Sequence, residues 1–192
     1  MENKFKFLVI DDHPLIRESM RDVLTETFTE SRVEVCPSVE NALEILTPDL
    51  KINNKTDWWV LMDLGLDGIS GLAAIRIILS LGDMINLITV SGNDDELHVG
   101  ACFGAGVKAF ISKGAPISET VDLIKSLVNR EKKSGIWLSA SGYADSSKIK
   151  KIHLTDRQSQ VLSMVCEGKT NKEISIALGI TEITAKFFKL LM

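Results

Sequence analysis

The sequence predicts an α/β domain built on a doubly wound, five-stranded parallel sheet, followed by a small all-α domain. Three observations carry that expectation. Between residue 5 and about residue 129, short apolar runs alternate five times with longer stretches of helical period, the pattern of successive βα units. The third, fourth and fifth runs are almost wholly apolar, as strands covered by helices on both faces are. Beyond residue 151 come three short helical stretches, each with a readable start.

The apolar runs are Phe5–Ile10, Val33–Cys36, Trp58–Met62, Ile85–Val90 and Val107–Ile111, and the helical stretches lie near 14–28, 38–47, 70–81, 94–104 and 117–129. Right-handed crossovers leave few ways to order such units, and a doubly wound sheet is the natural one. Residues 1–130 are assigned to the α/β domain, and residues 131–151, rich in Ser, Gly and Lys, to a linker. Within the linker, the Ile136-Trp137-Leu138 island is apolar enough to pack on a domain. Residues 152–192 form the second domain. Thr155 with Gln158, and Thr170 with Glu173, fit the capping box, in which side chains satisfy free N–H groups at a helix start. Thr181 fits an N-cap for the third helix, and Gly168 and Gly179 fall where the first two helices should end. Helix, turn, helix, turn, helix is a helix-turn-helix layout. Its core is expected from Val161, Leu162, Val165, Ile174, Ala177 and Leu178.

With 45 % apolar and 25 % charged residues, the 192-residue chain has a globular composition. No apolar run approaches the roughly 20 residues that span a bilayer. The first residues lead straight into an apolar run with no basic, cleavable leader, so a cytoplasmic protein without a membrane partner is expected. Cys36, Cys102 and Cys166, spaced 66 and 64 residues apart, match neither a zinc site nor a disulfide framework, and read as three reduced thiols. Net charge is −4, divided unevenly: residues 1–130 hold 12 basic and 20 acidic side chains, residues 148–192 hold 8 and 4. An acidic first domain suits a metal or cationic groups, and a basic tail suits a polyanion.

Polar residues fall at telling places. Asp11 and Asp12 follow the first apolar run, Asp63 the third, Ser91 the fourth, and Lys113 closes the fifth. In an open parallel sheet these are the carboxyl ends of strands, the edge where ligands bind. Asp12 alone would serve equally as a helix N-cap, since Pro14 follows at an early helical position; the coincidence of all five is what points to a site. Three crowded carboxylates need a cation, and oxygen-only ligands suit Mg²⁺. With the metal and Lys113 neutralising an incoming phosphoryl group, one carboxylate can attack phosphorus in line and form an aspartyl phosphate. Ser91 can then donate a hydrogen bond to a phosphoryl oxygen, which gives the site two states.

Asp11-Asp12, Met62-Asp63-Leu64 with Gly71 eight residues on, Val90-Ser91-Gly92, and Ala109-Phe110-Ile111-Ser112-Lys113-Gly114 together resemble the receiver domain of response regulators, a flavodoxin-like fold. The resemblance covers about residues 4–130. It implies Asp63 as phosphoacceptor, Mg²⁺ held by Asp11, Asp12, Asp63 and the Gly65 backbone carbonyl, Ser91 and Phe110 as switch residues, and Lys113 as phosphate partner. A sensor histidine kinase is the implied donor. Asp67 stands where the family often has Pro, and Phe110 where it often has Tyr.

The second domain resembles the LuxR-type helix-turn-helix in Leu154-Thr155-Asp156-Arg157-Gln158, in Glu167-Gly168-Lys169-Thr170-Asn171-Lys172-Glu173-Ile174, and in Gly179-Ile180-Thr181-Glu182 with Thr184-Ala185-Lys186. With the receiver this points to the NarL/FixJ class of transcriptional regulators. The resemblance implies that the helix from Thr181 enters the major groove of promoter DNA, with Thr184, Lys186 and Phe187 as contacts and Lys169 and Lys172 on phosphates. Phe188 replaces a usual His, and Leu190-Leu191-Met192 follow where further basic residues are usual. Weak or absent DNA binding by the 192-residue form is therefore expected, with the basic tail docked on the acidic receiver. A phosphorylation-dependent homodimer is expected too, signalling through the face of the fourth helix, fifth strand and fifth helix.

Rival readings come from the enzymes, from dinucleotide-binding proteins and from protein-interaction modules. A phosphohydrolase with an aspartyl-phosphate intermediate would need an acid/base two residues after the nucleophile, where this chain has Gly65, so a slowly lost phosphate and no dedicated catalysis are expected. Dinucleotide binding fares worse, because Gly100, Gly104 and Gly106 lie at a helix end. The other alternative is a phospho-regulated protein-interaction module with a vestigial DNA-binding domain.

Overall fold

Successive side chains of a strand point to opposite faces of its sheet, and here that alternation builds two cores. The computed structural model of the chain describes residues 5–52, 57–131, 135–144, 149, 151–166 and 168–191, with the backbone alone at 166 and 187–191. The α/β domain runs β1 (Phe5–Ile10), α1 (Pro14–Thr27), β2 (Arg32–Cys36), α2 (Val39–Ile52), β3 (Asp57–Asp63), α3 (Gly71–Leu79), β4 (Ile85–Ser91), α4 (Glu96–Ala105), β5 (Ala109–Ser112) and α5 (Ile117–Val128). These five strands are parallel in the order β2-β1-β3-β4-β5, as expected. Leu8 and Ile10 of β1 enter a core shared with α2, α3 and α4, whereas Phe7 and Val9 enter one shared with α1 and α5. The sheet is thus doubly covered. No helix among the described residues is long and apolar enough to cross a membrane.

The expected end of the second helix near residue 47 is overrun: α2 continues through Pro48 to Ile52. Tertiary contacts outweigh the missing N–H of proline. Asp49, on the turn after Pro48, accepts hydrogen bonds from Lys6 Nζ at 2.6 Å and Trp58 Nε1 at 2.9 Å, fastening that turn to β1 and β3.

The segment expected to be a linker also differs. Residues 136–144 form β6 (Ile136–Ser139) and β7 (Gly142–Ala144), which extend the sheet to seven strands. β6 lies parallel to β5, pairing Trp137 with Phe110 and Leu138 with Ile111, and β7 returns antiparallel. The cause is physical: an uncovered β5 would leave a row of unpaired backbone groups. Leu138 adds apolar burial, fully enclosed in the core with Ile111 and Leu123.

The second domain holds α6 (Asp156–Cys166), α7 (Asn171–Leu178) and α8 (Glu182–Leu191). Both capping boxes close. The Thr155 amide donates to Gln158 Oε1 at 2.9 Å, and the Thr170 amide to Glu173 Oε2 at 2.7 Å, each matched by the return bond. Thr181 Oγ1 accepts the Thr184 amide at 3.1 Å, and Gly168 and Gly179 are left-handed, with φ 77° and 61°. Val161, Ile174 and Ala185 form the small core. Two expected core residues lie elsewhere. Ala177 is exposed, and Leu162 enters the larger core of the α/β domain, because α6 presents that face to α3.

The seam between the domains has three further contacts. Arg76 of α3 pairs with Asp156 and donates to the Leu154 carbonyl. The Ile152 amide donates to the Gly100 carbonyl of α4 at 3.0 Å. Gly104 must lack a side chain, since a Cβ there would collide with the Ile152 carbonyl. Leu138→Ala is expected to destabilise the α/β domain by about 2–4 kcal/mol, read as a lower urea midpoint; a tether with no packing role would leave the midpoint unmoved.

Candidate functional site

Parallel strands bring their carboxyl ends to one edge, and three backbone bonds hold those ends level. The Asp11 amide donates to Cys36 at 3.2 Å, the Leu64 amide to Val90 at 3.0 Å, and the Lys113 amide to Ser91 at 2.8 Å. The side chains expected to meet do meet. Asp63, only 4 % exposed, receives the Lys113 ammonium on Oδ2 at 2.7 Å and the Gly65 amide on Oδ1 at 3.0 Å. Lys113 Nζ also lies 3.6 Å from Asp11 Oδ2. Burial disfavours the charged amine, but the hydrogen bond and charge of Asp63, aided by Asp11, outweigh it and hold the Lys113 pKa above the ordinary lysine value.

Asp11, Asp12, Asp63 and His13 each offer a ligand atom within 4.8 Å of the others. Asp12 Oδ1 is buried with no hydrogen bond, and His13 Nδ1 lies 2.7 Å away, within ion-pair distance. A buried carboxylate oxygen lacking a donor is what a cation site requires. Asp12 is not the helix cap: His13 occupies that position, with no side-chain cap bond, and Pro14 opens the helix. His13 was missed in the sequence, where only its place beside Asp11-Asp12 could have marked it.

Ser91 and Lys113 line the same cavity of about 680 Å³ as Asp63, and the exposed Asp67 stands on its rim. Phe110 lies deeper, fully buried, with the His98 ring edge-on at 6.0 Å. His98 of α4 lines the cavity from below. From the second domain Ser163 and Lys169 complete the wall, so Lys169 stands at the acidic pocket. Lys172 and Lys186 are exposed and Thr184 half-buried. The Phe187 side chain lies outside the described residues.

A doubly wound domain with an acidic, lysine-paired pocket at its ligand edge, joined to a helix-turn-helix, defines the class: signalling proteins with a DNA-binding output. Family models agree on both halves. Residues 7–125 match the response regulator receiver domain, and residues 153–191 the bacterial regulatory proteins of the luxR family. The chain therefore belongs to the response regulators with a LuxR-type DNA-binding domain, a family of transcriptional regulators. Among its relatives, the glycerol metabolism activator of Pseudomonas putida is 29 % identical, over 95 % of this chain and 85 % of that protein. The uncharacterized transcriptional regulatory protein YhcZ of Bacillus subtilis is 30 % identical, over 94 % and 84 %. In fold, the chain is similar to RcsB of Salmonella enterica serovar Typhimurium, solved on promoter rprA with a phosphomimetic, with a TM-score of 0.62 and 22 % identity over 97 % of this chain and 88 % of that one.

Burial pushes the His98 imidazole below its ordinary pKa, with Asp95 pulling weakly the other way. The unfolded chain thus takes up this proton first as pH falls. Folding stability is expected to decline from about pH 6.5, the unfolded histidine value, down through the lower folded value. Urea unfolding across pH should show this component in the wild type and lose it in His98→Leu.

Proposed function

We propose that Asp63 accepts a phosphoryl group from a sensor histidine kinase and that this modification controls a DNA-binding transcriptional output in the cytoplasm. The observation that carries the reading is the 2.7 Å pair of Lys113 with a buried Asp63, inside a cluster of three carboxylates. A carboxylate oxygen of Asp63 forms the new bond to phosphorus as the donor phosphorus–nitrogen bond breaks, and the electron pair returns to the imidazole. Lys113 holds Asp63 in place beforehand and offsets phosphoryl charge afterwards. Asp11, Asp12, Asp63 and the Gly65 carbonyl would hold Mg²⁺, which when bound supplies positive charge to the phosphoryl oxygens. Ser91, on the same cavity, donates to a phosphoryl oxygen. Gly65 supplies no acid or base, consistent with a phosphate lost slowly and no dedicated catalysis.

Phe110 would carry the new state outward. Its neighbours are His98 on α4 and Trp137 on β6, so both elements feel a change in its position. In the face of α4, β5 and α5 expected to signal, the outer edge of β5 is paired with β6. Output through α4 reaches Ile152 and the second domain. There Lys172, near the start of α7, and Lys186, midway along α8, are exposed and suit DNA phosphates and groove. Ile176 and Ile183, largely exposed on the same helices, supply apolar surface for a second copy.

Incubation with acetyl phosphate and Mg²⁺ is expected to give a phosphoryl adduct by intact mass on the wild type and none on Asp63→Asn; an equal adduct on both would move the nucleophile elsewhere. Asp12→Asn is expected to weaken Mg²⁺ binding about tenfold or more in calorimetric titration, a loss of about 1.4 kcal/mol. Unchanged affinity would place the ion away from these carboxylates.

A further inference from the structure

A cavity that opens over Asp63 would ordinarily be walled by its own domain, yet here the helix-turn-helix supplies part of the wall. Ser163 of α6 stands 2.6 Å from where a Cβ of Gly71 would be, at the start of α3. Arg76 anchors the other end of α6 through Asp156 and the Leu154 carbonyl. α6 therefore runs back along α3 and delivers the turn after it to the loop beside Asp63. On that turn the Lys169 amide donates to the Met164 carbonyl at 2.9 Å, which fixes the backbone of Lys169 at the cavity. The Glu173 carboxylate nearby accepts from the Thr170 amide and hydroxyl, both at 2.7 Å, and those bonds, with the charge of Lys169, hold it below the ordinary carboxylate range, so Lys169 serves Glu173 as well as the cavity wall.

We propose that Lys169 is a second cationic ligand for the phosphoryl group of Asp63, contributed by the DNA-binding domain while it is docked. This rests on Asp63 being the phosphoacceptor. The charge argument is direct. The pocket already holds three carboxylates against one lysine, and phosphorylation replaces the single charge of Asp63 with roughly −1.5 to −2 and three acceptor oxygens. Lys169, a cation lining the cavity from the second domain, gains from that change. Two consequences follow. Phosphorylation strengthens the domain seam through Lys169, and a lysine spent on the phosphoryl group is withheld from a DNA phosphate.

The test uses the full chain with acetyl phosphate and Mg²⁺, following adduct formation by intact mass against donor concentration. Here an Asp63 oxygen bonds to phosphorus and acetate leaves. Lys169→Gln is expected to raise the half-saturating acetyl phosphate on the order of three- to tenfold, the loss of one charge-assisted contact, with a smaller effect on the maximal rate. Lys169→Arg should restore most of the loss, as a packing role would not. Leu162→Ala, which removes a buried apolar contact of the seam, should raise half-saturation similarly, and adding Lys169→Gln to it should change little more. Beryllofluoride affinity, read by fluorine NMR, should fall in parallel in Lys169→Gln. An adduct on the wild type with unchanged half-saturation and beryllofluoride affinity in Lys169→Gln overturns this proposal alone. No adduct on the wild type overturns the phosphoacceptor reading, and this proposal with it.

Discussion

Like charge confined to a small space is the constraint from which the rest of this structure follows. Strand direction and the backbone bonds at the strand ends force Asp11, Asp12 and Asp63 to one edge, where their oxygens lie within 4.8 Å. Two unit charges about 4 Å apart repel by roughly 4 kcal/mol at the effective dielectric of a protein surface, a sizeable share of a domain stability of about 5–15 kcal/mol. Such a cluster persists only with positive charge beside it. Lys113 supplies part, directed by its place at the end of β5 and seated 2.7 Å from Asp63. His13 Nδ1 lies 2.7 Å from Asp12 Oδ1, and a cation held by the clustered carboxylates would supply the rest. A site balanced this closely responds to any added charge, which is the property a phosphorylation switch needs.

How such a response travels depends on what touches Phe110. Its ring is enclosed, with His98 on one side and the β6 partner Trp137 on the next strand. Trp137 lies against the same core, and its indole Nε1 is buried without an acceptor. A polar group held in that condition is poorly satisfied, so Trp137 is a local weak point in a strand otherwise held by β5, β7 and the buried Leu138. The hairpin that closes the sheet edge is thus placed to sense the pocket as well as to cap a strand. The same arrangement removes the β5 edge from the surfaces open to another chain.

The parts of this fold that were readable in the sequence are those set by local pattern. Continuous apolar runs such as Trp58–Met62 identify buried strands, and polar residues following them identify the ligand edge, so Asp63, Ser91 and Lys113 could be placed together before any coordinates. Thr155 with Gln158 and Thr170 with Glu173 announced helix starts because the capping bonds span three residues. What could not be read depends on partners distant in the chain. α2 survives Pro48 through Lys6 and Trp58. The run Ile136–Ser139 becomes a strand only because β5 offers an edge. Helical period put Leu162 and Ala177 on apolar faces, yet it carries no information on which domain, if any, covers each face. His13 and His98 escaped notice for the same reason: their meaning lies in what folds against them.

The seam between the domains is weak in a way that suits its position. The tail expected to dock on the acidic receiver brings Lys169 to the wall of the pocket, while its apolar end lies outside the described side chains; at the far end of α6 the signs are reversed, with Arg76 on the receiver and Asp156 on the tail. Asp156 is 93 % exposed, and an exposed ion pair contributes only about 0–1 kcal/mol. Holding the domains together therefore falls chiefly to apolar burial: among the described residues Leu162 of α6 is enclosed in the receiver core, and Ile149 and Leu154 pack against it partly buried. Burying one leucine is worth about 1.5–3 kcal/mol. Each contact of that size is comparable with the coupling free energies of about 1–3 kcal/mol through which one site biases another. A charge change at Asp63, felt through a lysine on the docked domain, is then of the right magnitude to decide whether the seam stays closed.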